Sequence, residues 1–199
     1  MKLGDYKLIF VAVGLIGILL IASPILGDLI RLPAGEQFSE LYLLGPERLA
    51  QNYPSNIVVD QNYSVYVGVG NHLGSSAYYI LYVKLLNQTD LLPNTTTATP
   101  SPVAPLFESR FAIQDGQSLE SPMNFTVANA AISQNQATIN TLTINNVVFE
   151  VNKLAAWNTN STKYNYQLLF ELWLYNKQTA SIEFNSRYVD LQLNLTRTP

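Results

Sequence analysis

Apolar and polar residues alternate along most of this chain with a period of two. Val65, Val67 and Val69 fall on one face of Ser64–Val69, and Val147, Phe149 and Val151 alternate with Glu150 and Asn152. Leu168, Phe170, Leu172 and Leu174 share one face, with Glu171 and Trp173 on the other. Near the end, Val189, Leu191, Leu193 and Leu195 alternate with Asp190, Gln192 and Asn194. Successive side chains of a strand point to opposite faces, so this pattern predicts half-buried antiparallel strands. Tyr78–Leu86 is a longer aromatic and aliphatic run, read as a further strand. Between the runs lie turn signals: Gly70–Gly74, and Asn145-Asn146, whose residues tolerate positive φ in a tight hairpin. Short strands with regular turns predict an antiparallel β-sandwich. Val127–Asn140 is ambiguous, a short helix or an irregular crossing.

Two stretches break the alternation. The first is the N-terminus, where Leu8–Leu26 is a 19-residue apolar run without a charge. As a helix it would be about 28 Å long, the thickness of a bilayer core. Lys2 and Lys7 precede it, and Asp28 and Arg31 follow. The expectation is therefore one transmembrane α-helix within residues 1–31, N-terminus cytoplasmic, ahead of an extracellular domain at 32–199. A cleaved signal peptide would have a shorter apolar core and a better exit than Ala22-Ser23-Pro24. A pilin-type leader cut after Gly4 is the third reading. Gly14 and Gly17 share a face with Ile18 and Ile21, a notch where another helix could pack closely.

The second break is Gln88–Leu106, "QTDLLPNTTTATPSPVAPL", rich in Thr and Pro. Proline lacks the amide proton a ladder needs, so 88–106 reads as a surface loop insertion, mobile or glycan-coated.

Composition narrows the function. Charged residues are 13% of the chain and the net charge is −3, so no basic field is available for nucleic acid. There is no cysteine, which removes thiol catalysis and thiolate metal sites. Six sequons occur, at Asn62, Asn87, Asn94, Asn124, Asn160 and Asn194, where the Asn and Ser/Thr content gives roughly three by chance. They make N-linked glycans an expected modification of an exported domain.

Candidate chemistry is sparse. The single histidine, His72, sits in the Gly70–Gly74 turn, where one imidazole cannot make a metal motif by itself. Glu36 and Glu40 are spaced i,i+4 and read as solvated residues, or as a partner or metal contact. Ser75-Ser76 lack a nameable base. Gly68 and Gly70 lie in a strand, not before a helix, so they do not form a phosphate loop. Trp157 and Trp173 read as packing residues before sugar platforms. No catalytic, cofactor or metal residue is expected.

The segment "FSELYLLGPERLAQNYPSNIVVDQNYSVYVGVGNH" carries a resemblance. Its Leu44-Gly45-Pro46 turn, its Asn52-Tyr53-Pro54 turn and Val67–His72 come in the order found in the archaeal family known as domain of unknown function 1616. "LLFELWLYN" at Leu168–Asn176 and "YVDLQLNLT" at Tyr188–Thr196 are similar to its closing strands. The resemblance implies an archaeal membrane protein with an Ig-like external domain, and brings no activity. The functional expectation is a non-enzymatic, single-pass, glycosylated envelope protein. It would serve as an accessory or binding subunit of a membrane or cell-surface complex, in contact with lipid and a homo- or hetero-oligomeric protein partner. The alternative is a pilin-like filament subunit with a β head.

Overall fold

The computed structural model describes Tyr6 and residues 11–17, 36–159 and 163–195. The chain divides into two compact units, Met1–Gln37 and Phe38–Pro199. In the first, residues 11–17 are helical, with Gly14 and Gly17 on them. Among the described residues, and apart from the helix's own backbone and the glycine's chain neighbours, no atom lies within 4 Å of where a Cβ would stand on either glycine. Most of the expected span Leu8–Leu26, including Ile18 and Ile21, lies outside the described residues. Among the described residues, no helix is long and apolar enough to cross a membrane.

The described residues of the second unit form strands and turns. Its ten strands are β1 (Phe38–Leu44), β2 (Asn56–Ile57), β3 (Asn62–His72), β4 (Ala77–Asn87), β5 (Phe107–Ile113), β6 (Ser118–Ile132), β7 (Gln136–Ile144), β8 (Val147–Asn158), β9 (Lys163–Asn176) and β10 (Ser181–Leu195). β2 is only two residues long and pairs with β10 in parallel. The ambiguous Val127–Asn140 is neither a helix nor a crossing. It completes β6, turns at Ser133–Gln136 and begins β7.

The sheet runs β1-β3-β6-β7-β8-β9-β10-β2. One edge of β9 carries β10; the other carries β4 over most of its length and β8 at Tyr164 and Lys163. There the sheet turns a corner. The expected pair of separate sandwich sheets is thus one continuous, curled sheet around a shared core. Register shifts between Val127 and Ala130 and between Ile139 and Thr141 help it bend, since an extra residue on one strand raises the local twist. The β7–β8 hairpin turns on Asn145 and Asn146 at φ 45° and 67°, as their side chains predict.

Alternation decides the core. Val65, Val67, Leu81, Val83, Leu85, Met123, Phe125, Leu168, Phe170, Leu191 and Leu193 are all buried in one cluster. The opposite face of β4 and β9 is buried too, at Ile80, Lys84, Leu86, Leu169 and Glu171. What covers it is the Thr/Pro-rich segment. Ser101 is 3% exposed; its carbonyl accepts from Lys84 Nζ at 2.8 Å and its amide donates to Glu171 Oε1 at 2.8 Å. Lys84 and Glu171 pair at 2.8 Å within this layer. Residues 88–106 are therefore not a free loop but an outer layer held by a buried ion pair. Proline keeps the segment out of the ladder, so its backbone bonds to side chains and to single strand groups such as Val83 O.

Two glycines fit close approaches. A Cβ on Gly45 would stand 2.0 Å from the Gln51 carbonyl oxygen, in the turn closed by Gly45 N–H to Leu49 O. A Cβ on Gly68 would stand 2.1 Å from the ring of Tyr42, its partner in the β1–β3 ladder. Gly68→Val is expected to cost about 1–3 kcal/mol, the usual range for overpacking. Thermal unfolding reads the loss, and an unchanged midpoint would refute the fit.

Candidate binding clefts

Two clefts open on the curled sheet, each made by elements that the alternation alone would not bring together. The first, of about 470 Å³, lies where the β3–β4 turn faces the β9–β10 hairpin. Ser75, Ser76, Tyr78, Tyr175, Lys177 and Glu183 are among its lining residues. Below it runs a buried polar chain. Asn185 Nδ2 donates to Ser39 Oγ at 3.0 Å, and Ser39 Oγ is 2.9 Å from Tyr79 Oη. Tyr79 Oη donates to Asn71 Oδ1 at 3.2 Å, so the Ser39 hydroxyl must donate to Tyr79. Asn71, fully buried, donates to the carbonyls of Ser75 and Ile113 at 2.9 Å each. Asn185, Ser39, Tyr79 and Asn71 thus each have a partner, and together they fix the β3–β4 turn on which the cleft is built. Burial pushes the Tyr79 phenol up, with the Ser39 bond pulling the other way.

Glu183, exposed at the cleft, has its carboxyl held below the ordinary value by Asn176 first, then Thr179 and Ser181. These three donate to it at 2.9, 2.5 and 3.0 Å. A lowered folded pKa means that the stability it adds is present above the unfolded value and fades as pH falls through the folded one. The carboxyl is anionic at neutral pH and already surrounded by donors. Ser75 and Ser76 line the same cleft.

The second cleft, of about 700 Å³, separates β1 from β10. Leu41, Leu43, Val189 and Leu191 pack against the core, and Tyr42, Tyr53, Tyr188, Asp190 and Gln192 complete the lining. At one end Arg187 Nε donates to Ser39 O at 3.2 Å, and Asn185 reaches Ser39 Oγ. At the other end β2 pairs with Asn194 and Leu195 of β10, and Tyr53 Oη donates to Leu43 O at 2.8 Å. Burial, then the neighbouring Glu120, and further down Glu40, push the Tyr42 phenol up.

The residues singled out in the sequence scatter. His72 ends β3, stacks on Phe38 with centroids 4.7 Å apart, and lies 3.4 Å from Glu40 Oε1. It is thus a strand residue with an aromatic and a carboxylate neighbour, not a turn residue. Glu36 precedes β1, Glu40 lies on it, and the described residues hold no group of three metal-ligating side chains. Gly68 and Gly70 face Tyr42 and Glu40 across the β1–β3 ladder. Trp173 packs against Tyr82 and Phe184, and Trp157 against Tyr164, as packing residues would. The residues the sequence reading missed are Ser39, Asn71, Asn185, Lys84 and Glu171. Their signal was weak: a polar side chain inside an apolar alternation.

The sequons divide by what their side chains already do. Asn62, Asn94 and Asn124 are exposed. Asn62 faces Thr126 and Ser64 faces Asn124 in the β3–β6 register, so two sequons share one outer face. Asn94 uses its Oδ1 to hold the amides of Thr96 and Thr97. Asn87 differs, because its Nδ2 donates to Leu154 O at 2.7 Å. Asn160 lies outside the described residues, and Asn194 is half-buried on β10. If glycans are added, occupancy at Asn62, Asn94 and Asn124 is expected to exceed that at Asn87. Glycopeptide mass spectrometry checks this, and Asn87 as the most occupied site would contradict it.

No curated protein sequence matches the chain. Among solved structures, β-glucosidase from Listeria innocua in complex with glucose is similar at 10% identity and a TM-score of 0.39, over 81% of this chain and 16% of that one. The sporulation control protein Spo0M from Bacillus subtilis is similar at 12% identity and a TM-score of 0.37, over 82% of this chain and 51% of that one. The family model described as Domain of unknown function (DUF1616) matches residues 32–146, from ahead of β1 to the β7–β8 turn. Leu168–Asn176 and Tyr188–Thr196 lie beyond that match, which still covers more than half of the chain: the protein belongs to the DUF1616 family.

Proposed function

We propose that this protein is a recognition subunit of the cell envelope. In this reading the N-terminal apolar segment anchors it in the membrane, and an Ig-like β-domain, carrying N-linked glycans, binds a protein partner outside. The observation that supports the reading best is the cleft between β1 and β10. The curled sheet stops short of closing there and leaves two strand edges beside an apolar floor. Unpaired strand edges attract other chains, and proteins that keep them usually cover them or use them. The rim carbonyls at Ser39 and Leu43 are taken by Arg187 and Tyr53, which leaves a short, defined opening instead of a long adhesive edge. The test is purification of the full chain from native membranes under mild detergent, followed by cross-linking from cysteines placed at Tyr42 and Gln192. A single partner that co-elutes and cross-links at either position is the expected result. A chain that elutes alone from carbonate-washed membranes, or is released by the wash, would defeat the reading.

A further inference from the structure

The strands on either side of the seam between β1 and β10 run in the directions that would flank a missing strand. Along the path from β1 to β10 every one of the six pairings is antiparallel. An even number of reversals leaves β1 and β10 pointing the same way. A strand placed between them and antiparallel to both would therefore continue the pattern on each side and close the curl.

The backbone groups on the two edges are identifiable. Ser39 O and Leu43 O accept bonds from Arg187 and Tyr53, which lie away from β3. Strand residues two apart present their N–H and C=O to the same side, so Leu41 also points into the seam. On β10, Asn194 N–H donates to Ser55 O, away from β9. Tyr188, Asp190 and Gln192 share its parity in an unbroken register. β1 pairs with β3 and β10 with β9 and β2, so these groups have no ladder between them.

The side chains state what would fit. Leu41, Leu43, Val189 and Leu191 make an apolar floor against the core. The one charged residue lining the cleft is Asp190, and Glu120 and Glu40 sit around Tyr42 on the same rim; Arg187 stands at the closed end. An occupant would therefore place apolar residues inward at every second position and basic residues outward.

We propose that this seam is a strand-acceptor site. It takes an extended segment of a partner polypeptide, antiparallel to β1 and β10, with alternating apolar and Lys/Arg residues. This deepens the recognition reading above and rests on it. It is β-strand addition, in which backbone bonds give affinity and alternate side chains give specificity.

The test is hydrogen exchange on the full chain in detergent, with the peptide Ac-Lys-Val-Lys-Val-Lys-Val-Lys-amide as probe. Expected is a slowing on the order of tenfold or more at the amides of Leu41, Tyr188, Asp190 and Gln192. The same peptide with a central proline should lose the effect, because proline removes a donor. Asp190→Lys should weaken binding by about tenfold, and by less at high salt. Protection at other amides, or none, overturns the proposal. Protection that appears without peptide and rises with protein concentration also overturns it, and assigns the seam to a second copy. A native partner that cross-links elsewhere while the peptide fails would sink this site and leave the recognition reading standing.

Discussion

Lys84→Met and Glu171→Leu are each expected to destabilise the domain by about 3–5 kcal/mol, because each leaves one charge buried without its partner. Both side chains are essentially without solvent, at 4% and 0% exposure, so water cannot substitute. The loss should lower the melting temperature by roughly 6–20 °C for a domain of this size. The variants should differ in what they release. Glu171→Leu also removes the acceptor of the Ser101 amide and of Trp173 Nε1–H, whereas Lys84→Met removes the donor to Ser101 O. In both, residues 88–106 should become a protease target well below the main transition. The double variant Lys84→Met/Glu171→Leu should recover much of the loss, since replacing a whole buried pair with apolar groups is often neutral or better. Calorimetry of the three chains checks this. Single variants within about 1 kcal/mol of the parent would mean that the pair is not holding the layer.

The second large effect is expected in alkali. Tyr166 is fully buried and its phenol donates to Ala137 O at 2.8 Å, with Lys153 O at 3.2 Å. Burial is the main cause that pushes its pKa up to about 12, and Tyr79 shifts the same way. A raised folded pKa means that the folded state holds a proton the unfolded state has already lost. That stability is complete below about pH 10 and falls as pH rises through about 12. For Tyr166 alone the rise from 10.0 to about 12 corresponds to about 2–3 kcal/mol. Denaturant titrations at successive pH values should show the decline, and the tyrosinate absorbance of the parent should exceed that of Tyr166→Phe only once the chain unfolds. Tyr166→Phe should start about 1 kcal/mol less stable at neutral pH, because Ala137 O loses its donor. Its stability should then fall less steeply in alkali. Parallel curves for the two chains would show that Tyr166 does not carry the effect.

The clefts were hardly legible in the sequence, and the reason is geometric. Ser39 and Asn185 are 146 positions apart and meet because β1 and β10 end up at the two edges of one curled sheet. Asp190 and Gln192 read as the solvent side of a strand. Nothing in their spacing says that their backbone groups lack a neighbouring strand. Asn71 was visible only as part of a turn, although its side chain makes four bonds that hold that turn in place. The family likeness was legible because turns such as Leu44-Gly45-Pro46 have local steric causes. Gly45 faces Gln51 O within one short loop, and such contacts leave fixed letters behind.

What the sequence determined by itself is that β3, β9 and β10 are strands and which side of each packs into the core. Period-two alternation in β3, β9 and β10 is a local property, and the hydrophobic effect acts on it wherever the strand is placed. The Asn145-Asn146 hairpin was equally local, because positive φ depends on the residue that adopts it. Tertiary structure decided the rest. Glu171 sits on the polar side of its strand by pattern, yet it is buried, because a segment about 70 positions away lies over it and brings Ser101. The same distance problem hid the seam. Pairing partners and the missing partner are properties of the sheet as a whole, set by how far six antiparallel steps and their bulges curl it, and no single strand carries that information.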